Sequence, residues 1–384
     1  MLSSLEILQD GKDTSTSGKI HQSKSVSMRI LYFFFFFLVM SLGVCIVSMN
    51  TIRYFGINNM APTILKLKPC VEEISSLKSW IKPPSSLVHT MNDTELFWRA
   101  TFAPRIKGYP YKRVPKVAFM FLTRGPLPLA PLWERFFKGN DRLYSIYLHS
   151  LPSYRDNFSN GSVFYGRQIP SKVAEWGEMS MCDAERRLLA NAMLDLSNEW
   201  FVLVSEACIP LRNFTIVYRY LARSRFSFMG SYDELGPYGR GRYNNNMAPE
   251  VSLNQWRKGS QWFEVNRELA LRIVGDTTYY PKFKQFCQPA CYVDEHYFPT
   301  MLTIETPHLL ANRSLTWTDW SRGGPHPATF GKEDVTERLF NKIFKSYLCT
   351  YNHQPVTLCF LFARKFSASA LEPLLAMAPR VFGY

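Results

Sequence analysis

Two adjacent carboxylates and an imidazole, Asp294-Glu295-His296, stand between Cys291-Tyr-Val and Tyr297-Phe-Pro. Such a set suits proton transfer. A carboxylate takes a proton from a hydroxyl efficiently when it is ionised, aimed and partly shielded from water, and aromatic neighbours on a fixed backbone supply those conditions. Cys287 and Cys291 can bridge each other, which would clamp the backbone just ahead of the carboxylates, or each can pair elsewhere. The same residues also suit a helix N-terminus, where Asp294 and Glu295 would offset the helix dipole ahead of residues 297–302. Residue types and spacing alone leave both uses open.

Such a group works only if a scaffold holds it. Residues 116–122, Lys-Val-Ala-Phe-Met-Phe-Leu, form a short continuous apolar run bounded by Pro115 and Thr123-Arg-Gly-Pro, the pattern of a buried strand. Residues 132–137 have helical character, and 143–149 read as a second strand. Residues 180–194 are rich in strong helix formers, with Ser180 as the expected cap and Asp183 three positions on. Residues 200–205 give another buried strand. Strand, helix and strand in this rhythm predict an α/β fold with a mostly parallel sheet, whose ligand lies at the carboxyl ends of the strands. Residues 232–249, rich in Gly, Asn, Arg and Tyr, predict a long loop that either is simply solvated or closes over a substrate through Arg240, Arg242 and Tyr243. It lacks the lysine and hydroxyl of a phosphate-binding P-loop.

The chain has 384 residues, 46% hydrophobic and 15% aromatic, enough for a sizeable core. Its net charge of +14 is scattered among aromatics and prolines with no RNA-binding signature or basic helix face, so nucleic acid is not the expected partner. Residues 30–49 form an uncharged apolar run of bilayer-spanning length. Lys12, Lys19, Lys24 and Arg29 precede it and only Arg53 follows closely, which places the N-terminus in the cytosol. The expected plan is a cytosolic tail (1–29), a signal anchor (30–49), a proline-rich stem (50–112) and a lumenal domain (113–384). N-glycosylation sequons at Asn92, Asn157, Asn160, Asn213 and Asn312 all lie beyond the span. So do Cys70, Cys182, Cys208, Cys287, Cys291, Cys349 and Cys359, an odd number that leaves at least one thiol unpaired within the chain. Only Cys287 and Cys291 are closely spaced and no second ligand pair accompanies them, so no metal site is expected.

Six segments in order resemble the core-2/I-branching glycosyltransferases, in particular their plant members. They are residues 119–128 (FMFLTRGPLP), 175–181 (EWGEMSM), 256–263 (WRKGSQWF), 292–297 (YVDEHY), 319–327 (DWSRGGPHP) and 362–366 (FARKF). The resemblance covers almost all of the expected lumenal domain. It implies a GT-A-type fold and transfer of a sugar from a UDP-sugar to a glycan hydroxyl with inversion, in the Golgi membrane. N-acetylglucosamine and glucuronic acid are both implied as the sugar.

By the same resemblance Glu295 matches the general base, with Asp294 and His296 as supports. Most GT-A enzymes hold Mn²⁺ with an Asp-x-Asp motif, but the corresponding stretch here is Val204-Ser205-Glu206-Ala207-Cys208. The resemblance implies metal independence, with Lys365 at the diphosphate and Arg322 as its partner. Fixed cations offset developing oxyanion charge as a metal would. Thr123 and Arg124, after the first strand, are placed at the nucleotide. His149 stands where animal members carry an acidic residue, which puts that uridine contact in question. Trp262, Glu264 and the pair Trp317 and Trp320 are acceptor candidates, because indole faces stack on sugars, although a buried core tryptophan has the same signature. A noncatalytic, membrane-anchored glycan-binding protein on the same fold is the opposing class.

Overall fold

The computed structural model describes residues 28–56, 77, 81–102, 108–155, 157–287 and 291–384. Contacts divide the chain into two units, residues 1–75 and 76–384. In the first unit one helix is described, α1 (Met28–Gly56), and its Ile30–Tyr54 portion is long and apolar enough to cross a membrane. The helix extends beyond the expected span of 30–49 at both ends. Lys12, Lys19, Lys24 and Cys70 lie outside the described residues.

The second unit opens with α2 (Asp93–Ala100), capped by Asn92, whose side chain accepts from Glu95 N–H while the Glu95 carboxylate accepts from Asn92 N–H. Within the expected stem of residues 50–112, Asp93–Ala100 is thus helical and packed on the body. Leu96 and Ala100 are buried, and Asp93 receives a two-point guanidinium bond from Arg187 at 2.8 and 3.0 Å. A short amphipathic turn inside a proline-rich segment carries too little apolar periodicity to stand out in sequence.

The central strand β1 (Lys116–Leu122) is apolar almost throughout, so it needs cover on both faces. It is followed by α3 (Ala130–Phe137), β2 (Tyr144–His149), α4 (Met179–Met193) and β3 (Asn198–Ser205). Then come β4 (Ile209–Pro210), α5 (Phe214–Arg223) and β5 (Glu264–Asn266). The main sheet runs β2-β1-β3-β5, with β1 parallel to both neighbours and β5 antiparallel to β3. This is the expected α/β architecture of a parallel sheet flanked by helices. Phe119 on β1 meets Trp133, Phe136, Phe137, Phe214 and Phe362 at centroid distances between 4.9 and 6.3 Å. Each such buried ring contributes about 1.5–3 kcal/mol. Helix α4 packs on β1, β2 and β3. Its expected cap is not made: the helix begins at Met179 after Glu178, and the Ser180 hydroxyl accepts from Glu175 N–H instead.

Register levels the strand ends, setting Leu122 opposite His149 on one side and Ser205 on the other. Thr123-Arg124 and Glu206 therefore share the carboxyl edge of the sheet, where α/β folds bind ligands. The remaining elements are α6 (Arg267–Gly275), α7 (Tyr279–Phe286), α8 (Tyr297–Glu305), β6 (Thr316–Thr318), α9 (Glu337–Lys345), β7 (Cys349–Tyr351), β8 (Gln354–Val356), β9 (Phe362–Arg364) and α10 (Leu371–Met377). Strand β9 lies between β4 and β6, pairing Ala363 with Ile209, and Phe366 N–H donates to Ala207 O at 2.9 Å. That pairing carries the Arg364-Lys365 end of β9 to the edge beside Glu206.

Candidate active site

Glu295 ends a single helical turn, residues 293–295, just ahead of α8. The Cys287–Cys291 disulfide precedes the turn, and Tyr292 enters it in the left-handed region, φ 55°. Glu295 N–H donates to Tyr292 O at 2.9 Å, and Gly259 N–H donates to Glu295 O at 2.8 Å. Glu295 is thus held through its own backbone. Its side chain is 28% exposed, and Lys258 Nζ donates to Oε2 at 2.5 Å while Arg242 Nη1 stands 4.0 Å from the same oxygen. Both described contacts fall on Oε2, which leaves Oε1 to receive a hydroxyl proton.

Asp294 and His296 point the other way, into the protein. Burial, and then the Glu295 charge, push the Asp294 carboxyl up to about 7, with nearby backbone N–H groups and Lys258 opposing. Beneath it on α4, Glu185 is fully buried, and burial and the Asp294 charge push it well above the usual carboxylate range. Gln261 donates to Glu185 Oε1 at 2.8 Å. His296 Nδ1 donates to Arg257 O at 2.8 Å, and its ring stacks on Trp256 at 4.6 Å. Burial takes its pKa down to about 3, so it is a neutral, packed ring. The helix-end reading of the acidic pair fits the position of the turn, but the side chains do other things: Asp294 is buried and Glu295 meets cations.

At the sheet edge, Lys365 is half-buried. Burial, and then the charge of Arg364, lower its pKa; Glu206 opposes this and Arg124 adds to it, which brings Lys365, Arg364, Glu206 and Arg124 into one electrostatic cluster. Thr123 is buried, its hydroxyl accepting from Gly125 N–H at 3.0 Å, and so shapes the loop that carries Arg124. The Arg364 guanidinium lies 4.0 Å over the Trp262 ring. Burial lowers its pKa, offset by Cys208, Glu206, Asp294 and Glu295, so this one cation feels both the sheet-edge carboxylate and the Asp294-Glu295 pair. Its Nε is buried without a hydrogen-bond partner.

Other sequence candidates sit elsewhere. Arg322 is exposed, 3.9 Å from Asp334 and above Phe330, in the excursion closed by Ala328 N–H donating to Asp319 O. The Lys365 backbone borders that excursion, but the Arg322 guanidinium does not join the Lys365 cluster among the described contacts. Trp320 is 51% exposed near the start of the same excursion, and Trp317 is buried with its Nε1 donating to Tyr347 at 3.0 Å. Glu264 is fully buried between the sheets, accepting from Leu315 N–H at 3.1 Å, and burial pushes it up to about 8. It links the main sheet to the Leu315-Thr316 segment. His149 is buried too: its Nε2 accepts from Lys172 N–H at 3.4 Å and its pKa is taken down to about 3, chiefly by burial.

Of the sequons, Asn92, Asn157, Asn160 and Asn312 are exposed or partly so, and Asn213 is half-buried, capping α5. A second disulfide joins Cys349 to Cys359, while Cys182 and Cys208 are buried thiols and Cys45 lies in α1. Sequence reasoning did not pick out Lys258 or Arg364 as neighbours of the acidic pair, and named Arg242 only as a loop residue. Lys258 and Arg364 lie inside motifs already noted, as neighbours of the residues chosen, but only the fold shows that they face the acidic pair.

The site is a carboxylate, Glu295, held by Lys258 and Arg242, with Lys365, Arg364 and Arg124 clustered at the carboxyl edge of the sheet. The profile of the Core-2/I-Branching enzyme family matches residues 117–344, so the chain belongs to that family and is a glycosyltransferase acting between a sugar donor and a glycan acceptor. It is 36% identical over 310 residues to "Glycosyltransferase BC10" of Oryza sativa subsp. japonica, covering 68% of this chain and 76% of the rice protein.

Proposed function

We propose that the protein is a type II Golgi membrane enzyme that transfers N-acetylglucosamine or glucuronic acid from a UDP-sugar to a glycan hydroxyl with inversion. The acceptor oxygen attacks the anomeric carbon as its bond to the β-phosphate oxygen breaks. Glu295 Oε1 takes the acceptor proton, and UDP leaves with the bonding pair on the opposite face. Lys365 and Arg364 meet the charge that grows on the departing diphosphate, and Arg124 extends the same positive edge. Lys258 anchors the base. The observation that carries this reading is the position of Arg364, within electrostatic reach of both Glu206 at the sheet edge and Glu295.

An oxidising compartment fits the two disulfides, and the helix α1, with basic residues ahead of it, fits a lumenal body. Metal independence follows from the same cations. The test is a panel of UDP-sugars with and without EDTA, read for transfer and for hydrolysis. Transfer from one donor that survives EDTA is expected. Loss with rescue by Mn²⁺ overturns the cation mechanism, and silence with every donor favours a glycan-binding protein on this fold.

A further inference from the structure

Outside the reacting centre, a run of rings leads away from the base. Tyr292, whose carbonyl accepts the Glu295 N–H, packs edge-on to Trp176 at 4.8 Å, and Trp176 in turn meets the His326 ring at 4.9 Å. Trp176 is 47% exposed and His326 is exposed, although burying an indole is worth more than almost any other side chain. The backbone is shaped to hold the pair. Tyr292 has φ 55° and Gly177 has φ 82°, and a Cβ on Gly177 would come within 3.4 Å of the Tyr292 ring. A non-glycine residue there would strain the turn that presents Trp176.

A second observation points to a ligand at the same place. The Arg242 guanidinium lies 4.3 Å over the Tyr292 ring, and its buried Nη1, 4.0 Å from Glu295 Oε2, faces that carboxylate without making a hydrogen bond. A buried donor left unmade costs about 1–3 kcal/mol. Sugar hydroxyls are the natural acceptors for such a group, just as aromatic faces are the natural partners of the apolar C–H faces of pyranose rings.

We propose that Tyr292, Trp176 and His326 form an acceptor track, with Arg242 bonding a hydroxyl beside Glu295, so that the acceptor is an extended glycan strand rather than a mono- or disaccharide. The proposal rests on Glu295 being the base, since that is where the track begins. The excess of apolar rings over charges along the track favours stacking as the source of affinity, and stacking adds with each sugar engaged.

The test uses the full chain in a detergent without a sugar headgroup. Binding of β-linked gluco-, galacto- and xylo-oligosaccharides of one to six units is followed by tryptophan fluorescence and calorimetry, and transfer is measured in the same samples. In at least one series the affinity rises by about tenfold or more from one to four sugars. Trp176→Ala removes most of that gain, Trp176→Phe keeps most of it, and the ratio of kcat/KM for long against short acceptors falls in parallel. No dependence on length in any series, or a gain unchanged in Trp176→Ala, overturns the track. Transfer that is equally fast at all lengths sinks the track and leaves the enzyme reading standing. Length-dependent binding lost in Trp176→Ala, without transfer from any donor, supports the track and sinks the base.

Discussion

Glu295 and Asp294 are chain neighbours in opposite environments. One is partly exposed and meets Lys258 and Arg242, while the other is buried and pushed up to about 7. Division of labour between two carboxylates follows from environment rather than residue type. Glu264 shows the same physics away from the reaction. Its folded pKa of about 8 exceeds the unfolded value of 4.5, so the folded state holds the proton across that window and the unfolded state does not. The stability it contributes is complete below about pH 4.5 and is lost as pH rises through about 8. Glu264→Gln removes this titration. The variant should gain on the wild type between about pH 5 and about pH 8, by at most about 1.4 kcal/mol per pH unit, read as the difference in Tm. A difference that stays constant with pH would show that Glu264 is not held protonated. Residue identity alone made Glu264 an acceptor candidate beside Trp262. Strand alternation could not reveal which face of so short a strand meets the second sheet.

The turn that holds Glu295 depends on a neighbouring segment. Gly259 follows Lys258, which pairs with Glu295, and a Cβ there would meet Gly230 O at 1.9 Å and Pro299 Cγ at 2.7 Å. Gly259→Ala must push these backbones apart, at a cost of about 1–3 kcal/mol. It should lower Tm and reduce kcat more than a surface change of equal destabilisation, because Lys258 and the Gly259 N–H both hold Glu295. Unchanged kcat in a destabilised but folded variant would show that the contact is not needed. The elements themselves were largely legible. β1, α3, β2, α4 and β3 stand where apolar runs and helix formers put them, because buried parallel strands are written as continuous apolar stretches. α2 and the true start of α4 were not, since both depend on contacts with Arg187 and Glu175 that are distant in sequence or lack a capping signature. In the loop of residues 232–249, Arg242 pairs with Glu295 while Arg240 pairs with Asp233.

Across the second unit, two sheets meet at one edge. The main sheet supplies an edge at Thr123-Arg124 and Glu206, and the second sheet delivers Arg364-Lys365 to that edge from a distant part of the chain. No local pattern could announce that meeting; the resemblance of the FARKF segment pointed to Lys365, and the pairing of β9 with β4 added Arg364. Arg322, chosen by the same resemblance, remains on the outer loop with Asp334. The apolar helix α1, long enough to cross a membrane, and the segment that matches the family belong to separate units. The most direct measurement is the transfer rate of Glu295→Gln in the full chain, with UDP affinity and Tm determined on the same preparation. Transfer should fall by at least about 10²-fold, the lower end of what general base catalysis contributes, while UDP affinity and Tm stay near the wild type. Transfer at the wild-type rate in a folded, UDP-binding Glu295→Gln variant would contradict Glu295 as the base.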